Sequence, residues 1–139
     1  MADALTLSVC GFDLRARLED RRSPRTVAFV RTMLPYESKL IQARWSGQAA
    51  WIPMGDFDVG DLGPEDPTSY PAPGQLLLYP GGVSEVEILV PYGDTCFASK
   101  AGQLAGNHFA SVVEGLEHLP EIGRRVLWDG AQDIRLALA

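Results

Sequence analysis

Two short segments near the start of the chain alternate between apolar and polar residues, and this alternation constrains the fold most strongly. Residues 5–9 and 12–18 each place an apolar side chain at every second position, and Gly11 lies between them. A period of two is that of a β-strand with one buried face. Two such segments joined across a short turn predict an antiparallel hairpin, and similar segments recur along the chain.

Turn-forming residues divide the rest of the sequence into short pieces. The chain has 14 Gly and 10 Pro among 139 residues, which favours many short strands over a helix bundle. We count about eight strands, mostly antiparallel, and eight strands can close into a barrel whose interior is filled by side chains. The sequence therefore predicts a mainly β fold, a closed eight-stranded β-barrel with two short helices. Its length fits a single domain, residues 1–139.

Two helices interrupt the strand pattern. Ser23-Pro24 is typical of a helix start, because the Ser23 hydroxyl can accept an unpaired backbone N–H and Pro24 fits the first turn. Pro35 ends this helix after about ten residues. A second helix is predicted to begin near Pro120 and to end before Gly130. We expect the two helices to cover the open ends of the barrel.

The charge of the chain argues against two classes of partner. The net charge is −6 and the isoelectric point is about 4.8. Nucleic acids and anionic membrane surfaces are bound mainly through Lys and Arg, so we predict neither as a partner. The N-terminus lacks the basic and apolar pattern of a signal peptide, and no stretch has the length of a membrane span. We therefore expect a cytoplasmic protein.

A long irregular segment, residues 53–74, is rich in Pro, Gly and acidic residues. Asp56, Asp58 and Asp61 resemble the start of a calcium loop but lack its glycine and its final glutamate. The histidines and cysteines do not show zinc-site spacing. We therefore predict a solvated acidic loop, no metal and no cofactor. A loop of this length is often functional, and it could also pack on another copy of the chain in a homo-oligomer.

The stretch from Tyr79 to Phe109, together with the Arg44-Trp45 turn, predicts a binding site. It combines aromatic residues with polar residues on glycine-flanked loops, the composition that small-molecule sites use. The candidate ligand-binding residues are Arg44, Trp45, Tyr79, Tyr92, Lys100, Gln103, Asn107 and His108. Lys100 would suit a carboxylate. Our leading hypothesis is therefore a protein that binds a small molecule, with a carboxylate metabolite as the candidate ligand.

Two alternatives stay open. His108 could act as a general base together with Glu85 or Glu87, which lie on one face of a strand, and this would make the protein a hydrolase or isomerase. The preferred interpretations are structural: a hydrogen-bonded histidine at the start of a strand, and two glutamates on the solvated face of a sheet. The third hypothesis is an assembly module whose residues 53–74 pack on another copy.

Several blocks of residues resemble an uncharacterised bacterial family with a cyclophilin-like fold. The matching blocks are Arg44-Trp45-Ser46-Gly47, Ser69-Tyr70-Pro71-Ala72-Pro73-Gly74, Tyr79-Pro80-Gly81-Gly82, Ser84-Glu85, Ser99-Lys100 and Gln103-Leu104-Ala105-Gly106-Asn107-His108-Phe109. The resemblance covers nearly the whole chain and implies a cyclophilin-like barrel without an assigned activity.

The resemblance implies prolyl isomerase activity only weakly. Cyclophilin enzymes carry a Phe-His-Arg strand followed by a Gln-Gly-Gly-Asp-Phe segment. In this chain Gln42-Ala43 precede Arg44, and Gly55-Asp56-Phe57 matches only the end of the second motif. The isomerase motif is therefore largely absent, and a weak prolyl isomerase is kept as one form of the enzyme hypothesis.

Overall fold

The computed structural model describes residues 3–139 and contains eight antiparallel strands that close into a barrel. The elements are β1 (Ala4–Val9), β2 (Phe12–Leu18), α1 (Pro24–Met33), β3 (Tyr36–Gln42), β4 (Gly47–Gly55), β5 (Pro67–Thr68), β6 (Gln75–Tyr79), β7 (Val86–Thr95), β8 (Ala98–Ser99), β9 (Gly102–Gln103), β10 (Gly106–Glu114), α2 (Leu119–Trp128) and β11 (Gln132–Leu138). The barrel runs in the order β2-β1-β11-β3-β4-β7-β6-β10 and closes through pairing of β10 with β2. The predicted closed eight-stranded barrel with two short helices is confirmed.

The interior of the barrel is filled by the inward side chains of these strands. Leu7 of β1 lies opposite Leu14 of β2 and Leu136 of β11, and all three are fully buried. Each such side chain contributes roughly 1.5–3 kcal/mol of transfer free energy relative to exposure. The apolar residues of the alternating pattern in the first hairpin are therefore the ones that point into the barrel, as predicted.

Helix α1 begins at Pro24 as predicted, but its N-terminus is capped by a different residue. The Ser23 side chain makes no capping hydrogen bond. The carboxylate of Glu65 instead accepts the backbone N–H groups of Arg25 and Thr26, at 3.1 and 2.8 Å, and the Thr26 hydroxyl at 2.7 Å. A negative group at this end also matches the helix dipole. The cap therefore comes from the long loop, which ties that loop to the helix.

Strand β7 continues through Pro91–Asp94, although Pro, Gly and Asp are residues typical of turns. Ala49 of β4 pairs with Pro91, and Gly47 pairs with Thr95 across a shift of register. Proline has no N–H to donate, but the Pro91 carbonyl still accepts the N–H of Gly74 at 2.9 Å. Strand β7 therefore stays paired with β4 on both sides of Pro91.

Helix α2 lies against the end of β7, as the predicted covering of the barrel end requires. Gly123 of α2 contacts the Tyr92 ring so closely that a Cβ at this position would lie 2.2 Å from a ring carbon. A side chain larger than hydrogen would push the helix off the ring. Within residues 3–139, neither helix is long and apolar enough to cross a membrane.

A second apolar cluster lies on the outer face of the barrel. Leu89 of β7 and Leu77 of β6 pair across the sheet and point away from the interior, because their neighbours along each strand fill the barrel core. Phe97 and Leu104, which flank the small β8–β9 hairpin, cover these side chains. This covering holds β8 and β9 against the outside of the barrel and creates the site described next.

Candidate functional site

A pocket of about 450 Å³ lies on the outer face of the barrel, beside this second cluster; we call it the outer pocket. Strands β3, β4 and β7 supply its floor, and its walls come from the β3–β4 turn, the start of β8 and the residues before β7. The lining residues are Ile41, Gln42, Ala43, Arg44, Trp45, Trp51, Ser84, Glu85, Glu87, Ala98, Ser99 and Lys100. This volume suits a small organic molecule.

Backbone pairing and one serine fix the shape of the outer pocket. Trp51 of β4 lies between Ile41 of β3 and Leu89 of β7, so its ring forms part of the floor. The hydroxyl of Ser46 donates to the Ala98 carbonyl and accepts the Ala98 N–H, each at 3.0 Å. The turn that carries Arg44 is thereby held against the hairpin that carries Lys100.

The two cations of the outer pocket, Arg44 and Lys100, are free of carboxylate partners. Both side chains are exposed, and neither takes part in an ion pair among the described residues. The Arg44 guanidinium lies over the Trp45 ring, 5.2 Å from its centroid. This contact orients a cation at the rim without neutralising it.

Glu87 lies in the floor of the outer pocket and is 5% exposed. It pairs with Tyr79 of β6 and Pro53 of β4, and it has no hydrogen bond that would favour its charged form. Burial raises the pKa of Glu87 to about 8, and the neighbouring Glu85 adds to the rise. Glu87 is therefore mainly protonated at neutral pH.

The predicted solvated position of Glu87 is thus wrong, although its position on the outer face is correct. Glu85 is exposed as expected. The difference arises because the 96–104 segment covers the outer face at Leu89 and leaves only the pocket opening beside Glu87. The sequence held one signal: Leu89 occupies the same face as Glu87, and a strand apolar on both faces is covered on both sides.

The predicted aromatic residues occupy three different places. Trp45 lines the outer pocket. Tyr79 does not line it but supports its wall, because the Tyr79 hydroxyl accepts the N–H groups of Val83 and Ser84 at 3.1 and 3.4 Å. Tyr92 lies under α2 at the barrel end, where its hydroxyl donates to Gln42 at 2.7 Å.

The predicted polar residues of the 100–108 stretch are also divided. Lys100 lines the outer pocket, whereas Gln103 is exposed on β9 and donates to the Tyr70 hydroxyl at 3.4 Å. Asn107 is 1% exposed and lies at the start of β10. Its side chain accepts the N–H of Glu65 and donates to the Thr26 hydroxyl and the Gly63 carbonyl, at 2.8, 3.1 and 3.0 Å. Asn107 therefore fastens the long loop to the barrel.

His108 belongs to a chain of hydrogen bonds outside the outer pocket. Arg22 can only donate, so it bonds to the Nδ1 lone pair of His108, at 2.6 Å, and leaves the proton on Nε2. Nε2 then donates to the Ser111 hydroxyl at 2.7 Å, and Ser111 donates to Glu19 at 2.6 Å. Burial lowers the pKa of His108 despite the opposing effect of Glu19. A neutral His108 is thus saturated by its partners.

The structure does not bring His108 into the outer pocket with Glu85 and Glu87. Its two ring nitrogens are both engaged, which leaves neither free to accept a proton from a ligand. Among residues 3–139 there is also no group of three or more His, Cys, Asp and Glu side chains that could hold a metal ion. The chemistry available in the outer pocket is therefore that of two cations, two glutamates and a tryptophan floor.

Comparisons with known proteins bear on the family and the fold. A family model described as "Protein of unknown function (DUF3830)" matches residues 5–138. A solved structure described as McbB in complex with tryptophan is similar to this chain, with a TM-score of 0.74 and 20% sequence identity. The similarity covers 96% of this chain and 44% of that one, so the chain spans less than half the length of this neighbour. No curated protein matches the sequence.

Proposed function

This chain belongs to the DUF3830 family of proteins of unknown function, and we propose that its outer pocket binds a small organic carboxylate. The observation that supports this proposal is the pair of cations, Arg44 and Lys100, at a pocket with an apolar tryptophan floor. Neither cation has a carboxylate partner of its own within the described residues. The carboxylate of a ligand would be the missing partner of these two cations.

The energetics favour a ligand that uses both the rim and the floor. A hydrogen bond to a charged group contributes roughly 1.5–3 kcal/mol, and a guanidinium can donate two parallel N–H bonds to a carboxylate. An apolar or aromatic ligand body would cover Trp51 at the floor. The ligand expected is therefore a carboxylate with an apolar part, not a small inorganic anion.

The fold comparison adds support from outside the chain. The similar McbB structure is described as a complex with tryptophan, a molecule with a carboxylate and a large apolar ring. That description concerns McbB. It makes tryptophan and its deaminated analogue, indole-3-propanoate, reasonable first probes of the outer pocket.

The proposal is tested by isothermal titration calorimetry of the wild-type chain with a panel of small carboxylates. Lys100→Ala and Arg44→Ala should each weaken binding by about tenfold, the loss expected for one exposed charge-assisted contact. Lys39→Ala is the matched control, because Lys39 is an exposed lysine on β3 that pairs with Asp133 outside the pocket. Equal affinities in all four proteins, or no binding by the wild type, would refute the proposal.

Four further predictions from the sequence belong to this proposal: the fold relationship, the location, the enzyme alternative and the homo-oligomer alternative. The closed barrel with two helices supports a cyclophilin-like relationship, and the acidic composition supports a protein that binds no nucleic acid. A cytoplasmic location stays a prediction from the sequence. Proline-peptide isomerisation, compared between wild type and Arg44→Ala, tests the enzyme alternative; equal rates would dismiss it. Solution scattering tests the homo-oligomer alternative, which a monomer would contradict.

A further inference from the structure

Given that the outer pocket binds a carboxylate, as proposed above, we propose that its ligand is a zwitterion whose ammonium group is bound by Glu87. The ligand class would then be α-amino acids with an apolar side chain, or close relatives that keep both charged groups. The inference adds a second recognised group to the carboxylate and assigns a residue to it.

The charges of the outer pocket come in two groups on different elements. Arg44 lies in the β3–β4 turn and Lys100 follows β8, whereas Glu85 and Glu87 lie in the segment that enters β7. Burial raises the pKa of Glu87, and repulsion by Glu85 adds to the rise. A ligand that carries one negative and one positive group matches this separation, whereas a simple carboxylate leaves Glu87 unmatched.

No neighbouring side chain satisfies Glu87. On β6 the facing titratable group is Tyr79, whose hydroxyl oxygen accepts the N–H groups of Val83 and Ser84 and forms no hydrogen bond with Glu87 within residues 3–139. On β4 the facing residue is Pro53, which offers no donor. The nearest charge on its own segment is Glu85, which repels it. Glu87 is therefore a largely buried side chain whose carboxyl is open to the outer pocket and forms no hydrogen bond among the described residues.

A buried carboxyl in this position has two ways to avoid an uncompensated charge. In the free protein it binds a proton, which is why its pKa rises. In the complex, a ligand ammonium would take the place of that proton, form an ion pair with the carboxylate, and be shielded from water by Trp51 and the ligand body. The proton of Glu87 would pass to the buffer as the ion pair forms.

This exchange gives a signature that other ligands do not share. With a pKa of about 8, about nine tenths of Glu87 carries a proton at pH 7. Binding of an ammonium should therefore release about 0.9 proton per site at pH 7, and affinity should rise by up to about tenfold per pH unit as pH increases toward 8. A ligand that accepts a hydrogen bond from protonated Glu87 would release none.

The experiment compares three matched pairs of ligands that differ only in the amino group. The pairs are tryptophan and indole-3-propanoate, phenylalanine and 3-phenylpropanoate, and leucine and 4-methylpentanoate. Each is titrated at pH 7 in two buffers of different ionisation enthalpy, which reports the protons released. For at least one pair, the wild type should prefer the amino acid by tenfold or more and release close to one proton.

Two variants identify the residue responsible. Glu87→Gln keeps the shape of the protonated carboxyl but cannot ionise, so it should lose both the preference for the amino acid and the proton release while it still binds the carboxylate. Glu114→Gln is the matched control, because Glu114 is an exposed glutamate at the end of β10, outside the outer pocket; it should change the preference by less than threefold.

The outcomes separate this inference from the proposed function. If the deaminated acids bind as tightly as the amino acids and no proton is released, the zwitterion inference is overturned and carboxylate binding stands. If Glu87→Gln keeps the preference for the amino acid, Glu87 is not the ammonium-binding group. If none of the six compounds binds, both the proposed function and this inference fail.

Discussion

Two regions of the molecule bury polar side chains, and they differ in how those side chains are satisfied. At the start of β10, Asn107 and His108 are nearly inaccessible and every polar atom of their side chains has a partner. In the outer pocket, the Glu87 side chain is 5% exposed, its carboxyl is open to the pocket, and it forms no hydrogen bond within residues 3–139. Burial is common to both regions, whereas saturation of hydrogen bonds is not.

This difference assigns the two regions to different tasks. A saturated polar network specifies one arrangement of the chain, and here it fastens residues 61–66 and the 19–23 segment to β10. An unsatisfied carboxyl in a cavity costs stability and is retained where a ligand completes it. The β10 cluster should therefore matter for folding, and the outer pocket for binding.

The largest expected effect concerns the pH dependence of stability caused by Glu87. Its pKa is raised in the folded chain, so its contribution to stability is fully present below the unfolded value near 4.5 and is lost as pH rises through about 8. The free energy of unfolding of the wild type should fall relative to Glu87→Gln by on the order of 5 kcal/mol between pH 4.5 and 8.5.

Urea unfolding at several pH values measures this difference. The Glu114→Gln variant serves as the control, because Glu114 is an exposed glutamate at the end of β10 outside the outer pocket, and it should follow the wild-type curve within about 0.5 kcal/mol. Parallel curves for wild type and Glu87→Gln across this range would show that the two regions do not differ as described.

The next effect concerns Asn107. Its replacement by Ala leaves the Glu65 N–H, the Thr26 hydroxyl and the Gly63 carbonyl without their partner. The cost should be about 3 kcal/mol, because buried polar groups left unpaired cost roughly 1–3 kcal/mol each and water can reach some of them. Chemical denaturation measures it.

Gln103→Ala is the comparison for Asn107→Ala, since Gln103 belongs to the same stretch but is exposed on β9. It should change stability by less than about 0.5 kcal/mol. Ligand affinity of the outer pocket should be unchanged in both variants. A weakened ligand with intact stability in Asn107→Ala would reverse the assignment of the two regions.

The smallest effect concerns the cap of α1. Burial alone would raise the pKa of Glu65, but hydrogen bonds from Thr26 and Arg25 hold it below its ordinary value. Glu65→Gln should therefore cost about 1 kcal/mol near pH 7. This loss should shrink as pH falls below the ordinary glutamate pKa of 4.5 and should disappear once pH is below the lowered pKa of Glu65, where the wild-type carboxylate is protonated.

Thermal unfolding of Glu65→Gln beside Asp61→Asn checks the cap. Asp61 is an exposed acid of the same loop that lies 3.8 Å from Arg25, so its variant should be close to wild type. If both variants lose the same stability, the effect is one of general loop charge and not of the cap.

The sequence predicts local elements well and long-range contacts poorly. The first hairpin and α1 follow from alternation and from Pro and Gly positions, which act over a few residues. The cap by Glu65 was missed because Ser23 is adjacent in sequence while Glu65 reaches the helix only in the folded chain. The continuation of β7 through Pro91 depends on partners in β4 that the strand itself does not reveal.

The candidate site shows the same limit. Arg44, Trp45 and Lys100 meet in one pocket as the sequence predicted, whereas Asn107 and His108, only a few residues further along, point into a different network. We predicted that Glu87 is exposed to solvent. The prediction fails because residues 96–104, which come later in the chain, fold back and cover this part of the outer face. The position of residues 96–104 determines which residues of the outer face are covered. The residues next to Glu87 in the sequence do not reveal that position.

The central claim is that Glu87 is a buried side chain whose carboxyl forms no hydrogen bond within the described residues until a ligand supplies a hydrogen-bond donor. The most direct measurement is ¹³C NMR titration of the glutamate carboxyl carbons, with the Glu87 signal assigned by its loss in Glu87→Gln. The account predicts a pKa of about 8 in the free protein and a lower pKa when the preferred amino acid is bound, because the ligand ammonium favours the charged carboxylate. A pKa near 4.5 in the free protein would contradict it.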